Sequence, residues 1–248
     1  MYNNFAKGYF SIMKDTLQND FFCYYKKIFE KFNINPELIL DLGCGTGDIT
    51  YLFAKENYDM IGIDISYDML NIAKENNSHK NILYLNQDMR EFELYGTVDV
   101  IYSSLDCINY ITDKRDLKKI FKLCNNYLNP DGLFIFDINT EYKYKNVLDN
   151  KTYIYDNEEA YLIWQSEYDK KRKMCTFFLD MFYKEKDSYI RSYEEQEQRA
   201  YKVDELIKTA ELSAFRVLAI YDNLSFKKYN KKSEKVFFVL RKENVNER

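Results

Sequence analysis

One histidine, one tryptophan, two prolines and seven glycines are all that the 248 residues contain of these four types. With His79 alone, set in the polar stretch Asn76-Asn77-Ser78-His79-Lys80, no Ser/His/Asp or Cys/His nucleophilic constellation can be assembled. The five cysteines (Cys23, Cys44, Cys107, Cys124, Cys175) are odd in number and scattered without a Cys-x-x-Cys pair, which argues against both a disulfide framework and a metal site. No run approaches the roughly 18 apolar residues of a membrane span. The start Met1-Tyr2-Asn3-Asn4-Phe5 lacks the basic and apolar regions of a secretory leader, so a cytoplasmic protein is expected. A formal net charge of -4 argues against a general nucleic-acid binder. The basic run at 227–232 reads as a solvated loop between strands, with contact to RNA or a phosphorylated substrate as its functional alternative. Scarce proline beside abundant Lys, Asn, Tyr and Ile reflects codon bias and carries no function. What is plentiful is apolar: 46% hydrophobic residues suffice for one good-sized core.

Three of the glycines fall in one run, Ile39-Leu40-Asp41-Leu42-Gly43-Cys44-Gly45-Thr46-Gly47, where a buried-strand pattern meets a loop stripped of side chains. Glycine permits positive φ and close approach of a ligand. A helical pattern follows at once, so the loop opens a helix N-terminus, where nucleotide-like ligands bind. About 21 residues after Gly43, the apolar stretch Met60-Ile61-Gly62-Ile63 ends in Asp64, at the spacing of an acid that accepts ribose hydroxyls. A dinucleotide fingerprint requires Gly-x-Gly-x-x-Gly, and here Asp48 stands where the third glycine would fall.

The run, complete with Asp41, resembles the first motif of class I S-adenosylmethionine-dependent methyltransferases. The resemblance continues through Asp64, through Asn86-Gln87-Asp88-Met89-Arg90 and through Leu128-Asn129-Pro130-Asp131-Gly132-Leu133, covering roughly residues 36–140. It implies S-adenosylmethionine as cofactor, with Asp41, Gly43, Cys44, Gly45, Gly47, Asp64 and Ile65 around the donor. Asp88 and Met89 fall at the adenine, where Met69 also packs, and Ser104 and Leu105 pass between donor and acceptor. Tyr9 sits where related enzymes turn a tyrosine toward the methyl donor, a ring able to face the sulfonium. Each residue also has a plain structural reading: core packing for Tyr9 and Met69, helix capping for Asp64, an acidic loop for Asp88.

Strand and helix patterns alternate: strands near 38–42, 60–64, 82–86, 98–102 and 132–137, helices near 47–56, 67–76 and 114–127. Such alternation predicts a parallel sheet with crossover helices. Residues 150–200 break the rhythm with strand patterns at 161–168, 174–183 and 189–201, an antiparallel meander. A helix at 203–212 and strands near 215–221 and 235–241 close the chain. The expected fold is therefore α/β, Rossmann-like and doubly wound: a mostly parallel seven-stranded sheet, an antiparallel C-terminal hairpin and a small inserted antiparallel β cap. We expect a single domain divided into an N-terminal helical lid (1–32, with an aromatic stripe from Phe5 to Phe29), a cofactor-binding core (33–149), the cap (150–201) and the final helix and hairpin (202–248). The cap is similar to that of small-molecule methyltransferases, including sugar N-methyltransferases.

That similarity places Tyr110 near the position of a base and Asn109 beside the acceptor. In the cap, Glu197, Arg199 and Tyr201 share one strand face and are the candidate substrate contacts, leaving Glu194 on the other face. Asp106, Glu194 and Tyr110 are the candidate bases. The expected activity is methyl transfer to a small-molecule acceptor, nitrogen before oxygen because a hydroxyl demands stronger activation by a base and histidine is scarce. RNA or protein methylation, a non-catalytic S-adenosylmethionine-binding module and a nicotinamide oxidoreductase are the alternatives. No metal and no membrane are expected.

Overall fold

The structure, a computed structural model, describes residues 3–13 and 17–243, without the side chains of 3–5 and 13, so Phe5 and Met13 of the expected stripe lie outside the described side chains. Two helices, α1 (Asn3–Met13) and α2 (Gln18–Lys31), precede the first strand. The alternating core follows as β1 (Leu38–Leu42), α3 (Asp48–Lys55), β2 (Asp59–Asp64), α4 (Tyr67–Asn76), β3 (Ile82–Asn86), β4 (Val98–Ser103), α5 (Lys114–Tyr127) and β5 (Leu128–Asn139). A short helix, α6 (Glu141–Lys143), runs into a wide turn over Tyr144–Leu148. The second sheet is β6 (Lys151–Asp156), β7 (Ala160–Asp169), β8 (Met174–Glu185) and β9 (Ser188–Arg199). The chain closes with α7 (Val203–Glu211), β10 (Phe215–Asp222) and β11 (Lys235–Lys242).

The large sheet has seven strands in the order β10-β11-β5-β4-β1-β2-β3, and β11 runs antiparallel to both of its neighbours. Alternation along the strands fills both faces. Leu40, Ile101, Phe134, Phe136 and Phe238 point to one side, and Ile39, Val100, Ile135 and Phe237 to the other. The first side is covered by α5, whose Leu117, Ile120, Phe121 and Cys124 recur at i, i+3, i+4 and i+7. The second is covered by the aromatic stripe of α2 (Phe21, Tyr24, Tyr25, Ile28, Phe29) together with Phe53 of α3. The chain leaves β1 for β2 on one side and returns to β4 on the other, so the crevice beyond the C-terminal ends of β1 and β4 is the switch point at which α/β sheets bind ligands.

The cap sheet carries one strand more than the alternation predicts. Lys151–Asp156 is an edge strand with mostly exposed side chains, so it lacks the apolar period that marks its three neighbours. Likewise β5 extends the expected 132–137 strand at both ends. Helix α1 lies against the cap: a Cβ at Gly8 would sit 2.7 Å from Met181 Sδ, so any larger residue there would require Met181 to move. No described helix is long and apolar enough to cross a membrane.

Candidate active site

The switch-point crevice opens into a cavity of about 550 Å³. Its floor is the glycine loop, where Gly43 and Cys44 both donate their N–H to Ile63 O, at 2.8 and 2.9 Å, tying the end of β1 to β2. Gly43, Gly45 and Gly47 all have positive φ (86°, 54° and 75°). At Gly45 an added Cβ would meet nothing within 4 Å, so the loop leaves open space where a ligand can lie against backbone.

Asp64, at the end of β2, accepts Gly45 N–H and Ser66 N–H, each at 2.8 Å. One carboxylate thus braces the glycine loop and the start of α4, whose N-cap is Ser66 accepting from Met69 N at 3.2 Å. Burial pushes the Asp64 pKa up, and the two backbone donors restrain the shift. Asp41 is buried and accepts from Thr50 Oγ1 at 2.6 Å and Tyr102 Oη at 2.9 Å. Burial raises its pKa to about 7, with Thr50 and Tyr102 opposing and the charges of Asp64 and Asp48 adding. The sign follows from linkage: a carboxyl whose pKa rises from 3.8 to about 7 on folding binds more protons when native, so its contribution to stability declines as pH rises through that window. Asp41→Asn is therefore expected to flatten the fall of Tm between about pH 4 and 7, which thermal melts across a pH series check.

Asp88 lines the cavity as an ion pair with Arg90, whose hydrogen bonds lower its pKa. Met89 reaches back to the glycine loop, its methyl 3.3 Å from a Cβ placed on Gly43. Beyond β4, Ser104 Oγ pairs with Tyr25 Oη at 2.7 Å. Leu105 and Asp106 follow with φ of 56° and 57°, strained values for non-glycine residues. The short turn Cys107–Tyr110 then brings Tyr110 to the cavity, its hydroxyl donating to Gln196 Oε1 at 2.9 Å. Desolvation of that hydroxyl, reinforced by the Asp106 charge, holds the phenol well above its ordinary pKa. Burial does the same for the thiols of Cys44 and Cys107, which leaves them protonated and without nucleophilic character.

Of the residues singled out in the sequence, Tyr9, Asp41, Gly43, Cys44, Gly45, Asp64, Ile65, Met69, Asp88, Met89, Ser104, Leu105, Tyr110 and the candidate base Glu194 line this one cavity. Gly47 lies just behind its wall, where a Cβ would overlap the Tyr84 hydroxyl. The expected acceptor contacts are placed elsewhere. Asn109 is fully buried, donating to Asn139 O and Arg199 O and accepting from Asn139 N, so its amide is spent on joining the turn to β5 and β9. Glu197 pairs with Arg172 at 3.0 Å on the outer face of the cap. Arg199 donates to Thr112 O at 3.1 Å, and Tyr201 is buried with its hydroxyl on Ile111 O. It is the opposite face of β9, with Glu194 and Gln196, that turns to the cavity. Alternation gave the two faces, but only the packing of the cap decided which faces inward. Asp106 stands off the cavity wall in a polar network with Lys235 and Gln198. Thr46 and Gln87, inside the quoted motifs but not singled out, also line the cavity, as does Gln18, which no motif announces.

The lining fits S-adenosylmethionine. Gly45 leaves a cradle that a Cβ would fill, an acid ends β2, and carboxylates face a space that would hold a cationic donor. Residues 39–132 match a family model described as "Methyltransferase domain". The Bacillus subtilis (strain 168) protein "Putative methyltransferase YqeM" is 28% identical over 95% of this chain and 96% of its own length. The crystal structure of an S-adenosylmethionine-dependent methyltransferase from Clostridium acetobutylicum ATCC 824 superposes with a TM-score of 0.86 at 29% identity, covering 98% of this chain and 99% of that one. The sugar N-methyltransferase KedS8 from Streptoalloteichus sp ATCC 53650 shares the fold, with a TM-score of 0.76 at 15% identity over 98% of this chain and 93% of that one. A family model over residues 39–132, a relative matched over nearly its full length and a fold matched over nearly the whole chain agree with the motifs, and together they support an S-adenosylmethionine-dependent methyltransferase.

Proposed function

We infer that the chain methylates a nitrogen of a small-molecule acceptor. The observation that carries this reading is the charge of the cavity wall: Asp48, Asp64, Asp88, Asp113, Asp116 and Glu194 face it, against Arg90 as its one basic side chain among the described residues. Such a field attracts cations and repels phosphates and carboxylates. The basic run at 227–232 does not line the cavity, which weighs against RNA as acceptor. A volume of about 550 Å³ lies in the range of small-molecule sites. Likeness to a sugar N-methyltransferase in fold agrees with the same reading.

In this proposal the 1–32 lid, the core and the cap act as one domain. The glycine loop and Asp64 hold the donor's ribose side, Asp88 and Met89 its adenine, and Met69, Ser104 and Leu105 close around it. Tyr9, on α1, faces the methyl end. The bound donor supplies a methyl carbon made electrophilic by its sulfonium, so the protein has only to align an amine lone pair and keep water out. Tyr110, with its pKa held up, stays protonated at neutral pH and orients the acceptor by hydrogen bonding instead of acting as a base.

Calorimetry of the cofactor-stripped protein tests the donor half, with micromolar binding of S-adenosylmethionine and S-adenosylhomocysteine expected. Release of S-adenosylhomocysteine with amines, but not with RNA or with hydroxyl analogues, tests the acceptor half; turnover on RNA would overturn it. Gly45→Ala is expected to weaken S-adenosylhomocysteine at least tenfold, because the methyl enters the cradle. Its left-handed φ costs about 1–2 kcal/mol, so Tm should fall by no more than about 8 °C in the same variant.

A further inference from the structure

Three of the cavity carboxylates have a cation of their own: Asp88 pairs with Arg90, Asp113 with Arg115, and Asp116 with Lys119 and Arg90. Glu194, contributed by the cap, has none among the described residues. It is half-buried, and its partner is Gln196 Nε2 at 2.9 Å. Across the strand pair, Glu194 faces Leu179 and Gln196 faces Phe177, both buried apolar side chains, so β8 offers no counter-charge either. A carboxylate held half out of water on an apolar sheet face without a cation is costly unless something else supplies the charge. Desolvation accordingly pushes its pKa up.

Its hydrogen bonds are ordered by elementary inventory. A carboxylate only accepts, so the Gln196 amide must turn its NH₂ toward Glu194 and its carbonyl toward Tyr110. Tyr110 must then donate, as its 2.9 Å contact to Gln196 Oε1 records, and with Gln198 also bonded to the phenol oxygen, one lone pair is left to accept. Glu194 and Tyr110 thus present two acceptors at the cap side of the cavity, with Gln196 fixing the proton between them.

Resting on the methyltransferase reading of the cavity, we propose that Glu194 is the recognition carboxylate for a cationic amino group of the acceptor, with Tyr110, oriented through Gln196, accepting a second N–H of the same group. A neutral amine has two N–H bonds and one lone pair; with both N–H bonds held, the lone pair has one direction left. In the step this implies, the acceptor ammonium keeps the N–H bonds held by Glu194 and Tyr110 and loses its third proton to water before the methyl aligns. The freed lone pair forms the new N–C bond as the C–S bond of the donor breaks, its electron pair remaining on sulfur.

The test is calorimetry on the protein loaded with S-adenosylhomocysteine. The probes are glucosamine, 1,4-diaminobutane and cyclohexylamine, each against its hydroxyl counterpart, glucose, 1,4-butanediol and cyclohexanol. At least one amine is expected to bind ten times more tightly than its counterpart, and Glu194→Gln to abolish that preference while leaving S-adenosylhomocysteine affinity and Tm unchanged. Gln196→Leu, which disconnects Tyr110 but keeps the charge, should retain part of the preference. Equal binding of amines and alcohols, no binding of any amine to the loaded protein, or an amine preference that survives Glu194→Gln would each overturn the proposal. Failure of the wild type to bind S-adenosylhomocysteine at all would instead overturn the reading on which it rests.

Discussion

Asp64→Ala is expected to weaken S-adenosylmethionine binding by about 100-fold, close to 2.7 kcal/mol. The carboxylate has two tasks that alanine cannot share. Its oxygens hold Gly45 N–H and Ser66 N–H, and hydrogen bonds to a charged group contribute about 1.5–3 kcal/mol each. Without them the glycine loop and the first turn of α4 lose the brace that shapes the cradle before any ligand arrives. The remaining lone pairs, which we assign to the ribose hydroxyls, go as well. Asp64→Asn keeps the shape but offers one acceptor oxygen, so an intermediate loss is expected. Calorimetry on both variants decides: an Asp64→Ala protein that binds like the wild type would show that the loop is shaped without Asp64 and that the ribose lies elsewhere.

The largest expected effect on stability belongs to Lys235→Met, about 3–5 kcal/mol and therefore a fall in Tm of about 10 °C. Lys235 Nζ sits 3.0 Å from Asp106 Oδ1 and also pairs with Asp137, which is fully buried on β5. Burial works against the ammonium, but the two carboxylates outweigh it and hold the Lys235 pKa above its ordinary value. The same lysine anchors a strained stretch of backbone. Asp106 N donates to Asp137 Oδ2 at 3.0 Å, and Gln198 Nε2, reaching from the cap, donates to Asp106 Oδ2 at 2.7 Å. Tyr144 Oη donates to Gln198 Oε1 at 2.6 Å, so hairpin, core and cap meet in one network. Methionine would leave Asp137 buried, and Asp106 partly buried, without the lysine that pairs with both. Adding Asp137→Asn should recover part of the loss, because the penalty lies in uncompensated charge more than in a missing contact. Thermal melts of the single and double variants check both statements, and an unchanged Tm for Lys235→Met would refute the argument.

The sequence by itself determined the order and kind of nearly every core element, because one-sided burial writes a period of two into strands and of 3.6 into helices. It also determined the glycine loop and Asp64, since both are features of short spacing: a loop between one strand and one helix, and an acid at the end of the next strand. Gly43, Cys44, Gly45 and Asp64 lie on the wall of one cavity for that reason. What the tertiary structure decided involves choices between faces and between distant partners. The edge strand Lys151–Asp156 carries mostly exposed side chains and left no apolar period to read. The inward face of β9 depends on how the cap sits over the core, and packing selected Glu194 and Gln196 over Glu197 and Arg199. The left-handed conformations at Leu105 and Asp106 are imposed by contacts from Asp137, Gln198 and Lys235, residues 31 to 129 positions away from Asp106 in the chain. The raised pKa of Asp41 is likewise a property of its burial and not of its motif. Local pattern records which side of an element is apolar; it holds no record of which distant group that side will meet, and here those meetings set the charges and proton positions of the site.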